Sequence, residues 1–447
     1  MSLQLELLKL NINVTYSDIF MFPTVRDLSN HILSNSTKSI TNIDLNEIYK
    51  FDTILNSNII LPKEINYTNP GNILLSGVTG FLGAHILDDF LTNEKGKVYC
   101  LIRLEPGLTI EQKLLNKLHY YFNNKYDELI GNRIIPITAD IAVSNFGLTD
   151  DALNNLANEI DVVINAAAKV SHYGNYGDYK KVNVDGTQNL INFCMNNNKR
   201  FYHISTLSIS GNSLVDSSFI RQAFENEINF NESNFYINQS LDNVYVRSKF
   251  EAEKIIFNSI LNGLNGYIIR VGNLMNRFSD GKFQPNANEN AYINRLISFA
   301  KIGCIPDYIK NAYIELTPVD KCAEAIIKLI QYPTKINRVF HLLNHNTVNI
   351  LDFIELFNNT FGNIQIISNI DFLETIDKLL KSNNRKKILS GIINDFDENR
   401  LLVYDTKINL KSTFTVDYLN LLNFKWPTIT EKYLNNFLNN FLNYFLI

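Results

Sequence analysis

Residues 72–87, NILLSGVTGFLGAHIL, decide how this chain reads. An apolar run, Ile73-Leu74-Leu75, ends on Ser76 and is followed by glycines at 77, 80 and 83. An unbroken apolar run of this kind suits a parallel strand buried on both faces. Past the loop, Ala84, Ile86, Leu87 and Phe90 continue at helical spacing. The glycines permit a tight turn and let backbone N–H groups approach a pyrophosphate, whose charge the helix N-terminus favours. Three glycines alone carry little. With a strand before them, a helix after them and another strand about twenty residues on, they read as a dinucleotide-binding loop. Gly77, Thr79, Gly80, Phe81, Leu82 and Gly83 are its expected contacts.

Further strands follow in rhythm: VYCLIR at 98–103, RIIPITADI at 133–141, DVVINAAA at 161–168, RFYHIST at 200–206 and GYIIRVG at 266–272. Helical stretches separate them. This alternation predicts an α/β fold, a Rossmann-type doubly wound parallel sheet. After about residue 275 the rhythm loosens and aromatic and polar residues mix. Residues 71–275 are expected to be mainly the cofactor-binding part, and 276–447 mainly a smaller, mostly helical substrate subdomain. Residues 36–70 are polar, with a short helix expected around Asp44–Leu55 and prolines at 62 and 70, and read as a linker wrapping onto that domain. Residues 1–35 read as two short amphipathic helices, with Ser17 as a possible cap and Pro23 opening the second. Two such helices cannot bury a core alone. They are either a fragment of a small domain or an appendage.

Composition narrows the function classes. The chain has 447 residues, 45% hydrophobic and 19% charged, as globular proteins do. Its formal net charge of −4 gives no basic footprint for nucleic acid and no attraction to an anionic membrane. No stretch approaches the roughly 18 apolar residues of a membrane helix, and Leu3–Leu10 lacks the continuous core of a signal peptide. Cys100, Cys194, Cys304 and Cys322 are widely spaced, without a CxxC pair. They read as small buried hydrophobes in the reducing cytoplasm, and no metal site is expected.

The end of the second strand selects the cofactor. A site for NAD usually carries an acid there, bonding the ribose 2′-hydroxyl. This chain carries Arg103, whose guanidinium suits a 2′-phosphate, so NADPH is expected over NADH. Asp140 and Ile141 stand where an adenine ring is usually flanked, and Asn165, Ala166 and Ala167 should lie near the middle of the dinucleotide.

Tyr245 and Lys249 form a YxxxK spacing on a helical stretch, on one helix face. The ammonium is expected to favour the phenolate, lowering the pKa of Tyr245, and to bond the nicotinamide ribose. Tyr245 then serves as proton donor. Thr206, at the end of a strand, is expected to hydrogen-bond the reacting oxygen, although Ser205 and Ser208 are near enough for a register error. His172 and His203 lie near strand ends and read as ordinary polar neighbours. Phe283, Tyr292, Phe299 and Tyr308 could line a tunnel or simply form core, and Arg277 could help hold a phosphate.

The ordered set of glycine loop, Asn-Ala-Ala, Ser-Thr and Tyr-x-x-x-Lys resembles the extended short-chain dehydrogenase/reductases, over residues 71 to about 330. GVTGFLGAHIL, VYCLIR, NVDGTQNL, HISTLSISG, YVRSKFEAE, RVGNLMNR and the closing FKWPTITEKYLNNFL are similar to the terminal thioester reductase domains of nonribosomal peptide synthetases. INVTYSDIFMFPTVRDLSNHIL resembles the last helices of a peptidyl carrier domain. On that likeness the phosphopantetheine serine would lie upstream of Met1, Ser2 being too close to FPT for the role. The resemblance implies a peptidyl thioester substrate on the phosphopantetheine arm of the adjacent carrier. It implies reductive release as an aldehyde, on to the alcohol in some cases, and a monomer within a larger synthetase.

Three other readings compete. A hydrolytic release domain would need a GxSxG elbow, which the sequence lacks. A nucleotide-sugar epimerase or dehydratase of the same superfamily would prefer an acid where Arg103 stands. A silent carrier-docking scaffold would have no need of the Thr206–Tyr245–Lys249 set.

Overall fold

We describe the protein from a computed structural model. It describes residues 25–34, 44–55, 60–170, 174–211, 228–286, 290–360, 362–382, 388–393 and 408–445, with scattered positions before 25 and between 383 and 407. Ser2, Ser17, Pro23 and His172 lie outside the described residues.

Seven short strands form one parallel sheet: β1 (Ile73–Ser76), β2 (Val98–Ile102), β3 (Ile134–Thr138), β4 (Val162–Asn165), β5 (Arg200–Thr206), β6 (Gly266–Val271) and β7 (Val339–Leu342). Their spatial order is β7-β6-β5-β4-β1-β2-β3. The order reverses between β1 and β4, and a crevice opens at such a switch point beyond the carboxyl ends of the strands. β1, β2 and β4 are buried along their whole length, whereas the edge strand β3 is only half-buried. That is why the first two read as plain apolar runs.

Helices cover both faces. On one lie α1 (Phe81–Asn93) and α2 (Ile110–Phe122); on the other lie α3 (Asp150–Glu159), α4 (Gly186–Asn196) and α5 (Val244–Leu261). Side chains alternate between the two cores, so Ile73 and Leu75 pack with α1 and Leu74 packs with α4 and α5. Thr109 and Gln112 close a capping box at the start of α2, and Thr149 caps α3. The segment before the sheet joins the second core. Phe51 is fully buried, stacks on Phe257 with centroids 5.1 Å apart and meets Phe235 edge-on, while Glu47 pairs with Lys254.

After β6 come α6 (Ala291–Ile302), α7 (Val319–Gln331), α8 (Ile350–Thr360), α9 (Asn369–Leu380), α10 (Thr413–Leu421) and α11 (Glu431–Phe445). They do not all belong to a separate subdomain. α7 packs against α1, burying Ile326, Ile327, Leu329 and Ile330 on the sheet. At roughly 1.5–3 kcal/mol per large apolar side chain, that face is a main anchor of the sheet's first layer. β7 and α10 add Phe340, Leu342, Phe414 and Tyr418 to the same core. Residues after 275 therefore contribute to both apolar bodies, because the chain leaves the sheet and returns to it. The second apolar body comprises α6, α8, α9 and α11 with the short strands Cys304–Pro306 and Gln365–Ile367. Among the described residues no helix is long and apolar enough to cross a membrane.

Candidate active site

The glycine loop leaves β1 at the switch point. Gly77 has φ +77°, and a Cβ there would come within 2.6 Å of the Ala166 and Ala167 backbone. Gly83 packs as tightly: its Cβ would lie 2.1 Å from the Gly77 carbonyl oxygen. Gly80 donates its N–H to that same oxygen at 2.9 Å and then serves as N-cap of α1, with no side chain capping the helix. The first turn of α1 thus keeps its N–H groups for a ligand. A loop whose Gly77 and Gly83 have no room for a Cβ, opening onto an uncapped helix, fits the pyrophosphate of a dinucleotide. Phe81 instead packs on His85, Tyr121 and Phe283, toward the second apolar body. Leu82 is buried in the sheet's first core.

Arg103 follows β2 directly and is exposed. Its carbonyl accepts from Lys113 Nζ at 3.0 Å, and Lys113 also pairs with Glu105 at 2.6 Å. The Glu105 carboxyl is held below its usual range by its bond to Lys113 and by the charges of Lys113 and Arg103. Two cations therefore stand at the end of β2. Lys113, ten residues on and across a loop, carried no sequence signal of its own. Asp140 accepts from Ala142 N at 2.9 Å, a local turn, while Ile141 is buried against Gly186 at the start of α4.

Three polar side chains stand side by side across neighbouring strands. Ser76 is in register with Asn165, and Asn165 with His203. All three are buried. Ser76 Oγ donates to Asn165 Oδ1 at 2.7 Å; Asn165 Nδ2 lies 3.0 Å from Thr187 Oγ1 and 3.1 Å from His203 Nδ1. The Asn165 amide is thus used inside the protein, and the contribution of this segment to the crevice comes from Ala166 and Ala167, which are less deeply buried.

The helix that carries the YxxxK spacing is fixed at its start by Asn243, whose Oδ1 accepts from Tyr245 N at 2.9 Å and Val246 N at 3.2 Å. The Thr206 hydroxyl, at the last residue of β5, acts on the Tyr245 phenol and draws its pKa down. Thr206 in turn donates to Ser208 Oγ at 3.1 Å. Of the three neighbouring hydroxyls, Ser208 is exposed, and Ser205 is buried with no hydrogen-bond partner for its Oγ. Thr206 is the one whose hydroxyl acts on the Tyr245 phenol.

Lys249 is buried and points beneath this pair. Its Nζ donates to Ile204 O at 2.6 Å and lies 3.1 Å from His203 Nε2. Burial pulls the Lys249 ammonium down to about 8, opposed by the Glu253 carboxylate. Glu253 is itself tied to Arg270 at 2.8 Å, both fully buried. Burial pushes the Tyr245 phenol up to about 12, with the Thr206 bond easing it. A lysine lowering this tyrosine is therefore not the arrangement found: Lys249 is turned to the strand and to His203.

Arg277 is paired with Asp280 and lies over the Phe122 ring, so its guanidinium is already engaged. Phe283 and Phe299 are core of the second apolar body, and Tyr308 exchanges hydrogen bonds with the Leu402 backbone. Beside the ends of β6 and β7 sits Glu315, bonded by Asn273 N at 2.6 Å and by the Thr317 hydroxyl. All four cysteines are buried and unpaired, and no cluster of metal-ligating side chains occurs among the described residues.

This geometry has known counterparts. Residues 75–326, more than half of the chain, match the NAD-binding family described as male sterility protein. The chain belongs to that family. Its cofactor is accordingly a nicotinamide dinucleotide, which the glycine cradle fits, and the chain is an oxidoreductase. Probable polyketide synthase 34 from Dictyostelium discoideum is 30% identical over 413 residues, 82% of this chain and 13% of that protein. A linear gramicidin synthase from Brevibacillus parabrevis is 26% identical over 366 residues, 80% of this chain and 7% of its own length. The chain spans a small part of either synthase. Among solved structures, a thiolation-reductase di-domain from an archaeal non-ribosomal peptide synthetase superposes with a TM-score of 0.83 at 32% identity. That match covers 99% of this chain and 90% of the other, so this member of the family has the build of a synthetase reductase domain.

Proposed function

We propose that the chain releases a carrier-bound peptidyl thioester by NADPH-dependent reduction to a peptide aldehyde. The observation that carries the reading is the pair of hydroxyls of Thr206 and Tyr245 at the carboxyl end of β5, two strands along the sheet from the one that leads into the glycine cradle, in a chain built like a thiolation-reductase unit. Gly77, Gly80 and Gly83 with the start of α1 would hold the pyrophosphate, and Arg103 with Lys113 the 2′-phosphate. Lys249 would reach the nicotinamide ribose. The bound cofactor supplies hydride to the thioester carbonyl carbon.

The chain's own groups do the rest. Thr206 and Tyr245 donate to the carbonyl oxygen as it gains charge, which is where fixed donors act most strongly. A phenol pushed up to about 12 stays protonated at neutral pH and has a proton to give to that oxygen. The resulting hemithioacetal breaks its carbon–sulfur bond, releasing the pantetheine thiol and the aldehyde. A second round on the aldehyde would give the alcohol. Residues 1–35 are assigned to the end of the carrier domain and 36–70 to its linker; the di-domain match over nearly the whole chain supports that assignment.

The test offers the protein aminoacyl and dipeptidyl pantetheine thioesters with NADPH or NADH and follows nicotinamide absorbance. Oxidation of NADPH that depends on the thioester is expected. No oxidation with any thioester, beside turnover of a nucleotide sugar, would favour the epimerase reading.

A further inference from the structure

His203 is fully buried, lies between Asn165 and Lys249, and has no part in the chemistry above. Its protonation follows from counting donors. Thr187 Oγ1 donates its only hydrogen to Asn183 O at 2.7 Å, so it must accept from Asn165. That fixes the Asn165 amide with its NH₂ toward Thr187 and its oxygen toward the Ser76 hydroxyl. The same NH₂ faces His203 Nδ1 at 3.1 Å. Nδ1 is therefore the bare nitrogen, and the proton of the neutral ring sits on Nε2. Nε2–H points at Lys249 Nζ, 3.1 Å away. A protonated ammonium there would set donor against donor. A neutral amine would accept through its lone pair and still donate to Ile204 O.

We infer that His203 is a positioning residue that opposes protonation of Lys249, its tautomer being set by the chain Thr187–Asn165–His203. The inference rests on the reading of Lys249 as a group of the active site. Burial and the nearby Lys249 hold the His203 ring far below the usual histidine range, which agrees with a neutral imidazole. The charged and titratable groups around Lys249 are few. Its own helix supplies Tyr245 and Glu253; β5 supplies His203; β6 supplies Arg270, which is paired to Glu253. Among the described residues, Glu253 alone pulls toward the ammonium.

The test uses the full chain. Imidazole nitrogen shifts in ¹⁵N-histidine-labelled protein, with His203→Gln for assignment, read the tautomer; Nδ1 bare and Nε2 protonated is expected. Titration of ¹³Cε-lysine-labelled protein, with Lys249→Met for assignment, reads the amine. Lys249 should titrate below the other lysines. His203→Gln, whose amide oxygen can face the ammonium, should raise it by a unit or more, a tenfold gain in proton affinity. The alkaline limb of kcat should move up with it, whereas a merely structural role would lower kcat at every pH alike. An Nδ1–H tautomer, or a Lys249 pKa that His203→Gln leaves in place, overturns the inference. Should His203→Gln not fold, the wild-type tautomer, assigned from through-bond couplings, decides alone. Neither spectrum needs substrate, so failure to reduce thioesters would sink the proposed function and leave this result standing.

Discussion

Gly83→Ala probes the phosphate loop without touching a polar group. The new Cβ would lie 2.1 Å from Gly77 O, 2.7 Å from Gly77 C and 3.0 Å from Val78 Cα, all backbone. Carbon and oxygen approach to about 3.3 Å at closest. Loop and helix must therefore part by roughly 1 Å, and forcing extra volume into such a contact costs about 1–3 kcal/mol. The parting occurs where backbone N–H groups must converge on a pyrophosphate. If the strain is expressed there, NADPH affinity falls tenfold or more, since about 1.4 kcal/mol is a factor of ten. Fluorescence titration with NADPH measures it, alongside thermal unfolding. Gly131→Ala is the control. Gly131 has φ +78° with nothing within 4 Å, so alanine there meets only backbone strain, about 1–2 kcal/mol, at the opposite end of the sheet. Wild-type NADPH affinity in Gly83→Ala would refute the assignment of this loop to the cofactor.

Arg103→Ser should lower NADPH affinity by about 1.5–3 kcal/mol, tenfold or more, and leave NADH affinity unchanged in the same titration. Tyr245→Phe should cut kcat by about 10²–10⁴ while NADPH affinity stays at the wild-type level, as steady-state and binding measurements would show. Glu315 gives a pH signature in stability. Burial raises its carboxyl from the ordinary 4.5 to about 7, so between those values the folded chain binds more protons than the unfolded one. Stability then falls as pH rises from 4.5 through 7, and Glu315→Gln should flatten that slope in melting temperatures taken from pH 5 to 8.

The strands that are buried on both faces were legible because burial leaves nothing but apolar residues in most of β1, β2 and β4. β7 was not. It is four residues long, carries His341 in its middle and is separated from its partner β6 by the whole of α6 and α7. Nothing in a local window says that the chain returns to the sheet there. The site divides in the same way. The glycine loop and the Tyr245–Lys249 pair are local patterns, readable because turn and helix geometry fix their spacing. The chain from Ser76 and Thr187 through Asn165 to His203 joins side chains of β1, α4, β4 and β5, which only strand register brings together. It also altered the reading of the pair, because it gives Lys249 a partner other than Tyr245.

The central claim, reductive release of a thioester, is tested most directly with NADPH carrying deuterium at C4 of the nicotinamide. The full chain is mixed with a dipeptidyl pantetheine thioester, the product is trapped as an oxime and its mass is measured. The account predicts an aldehyde carrying one deuterium on the former thioester carbon, with free pantetheine thiol in equal amount. A carboxylic acid without deuterium, or intact thioester beside unconsumed NADPH, would contradict it.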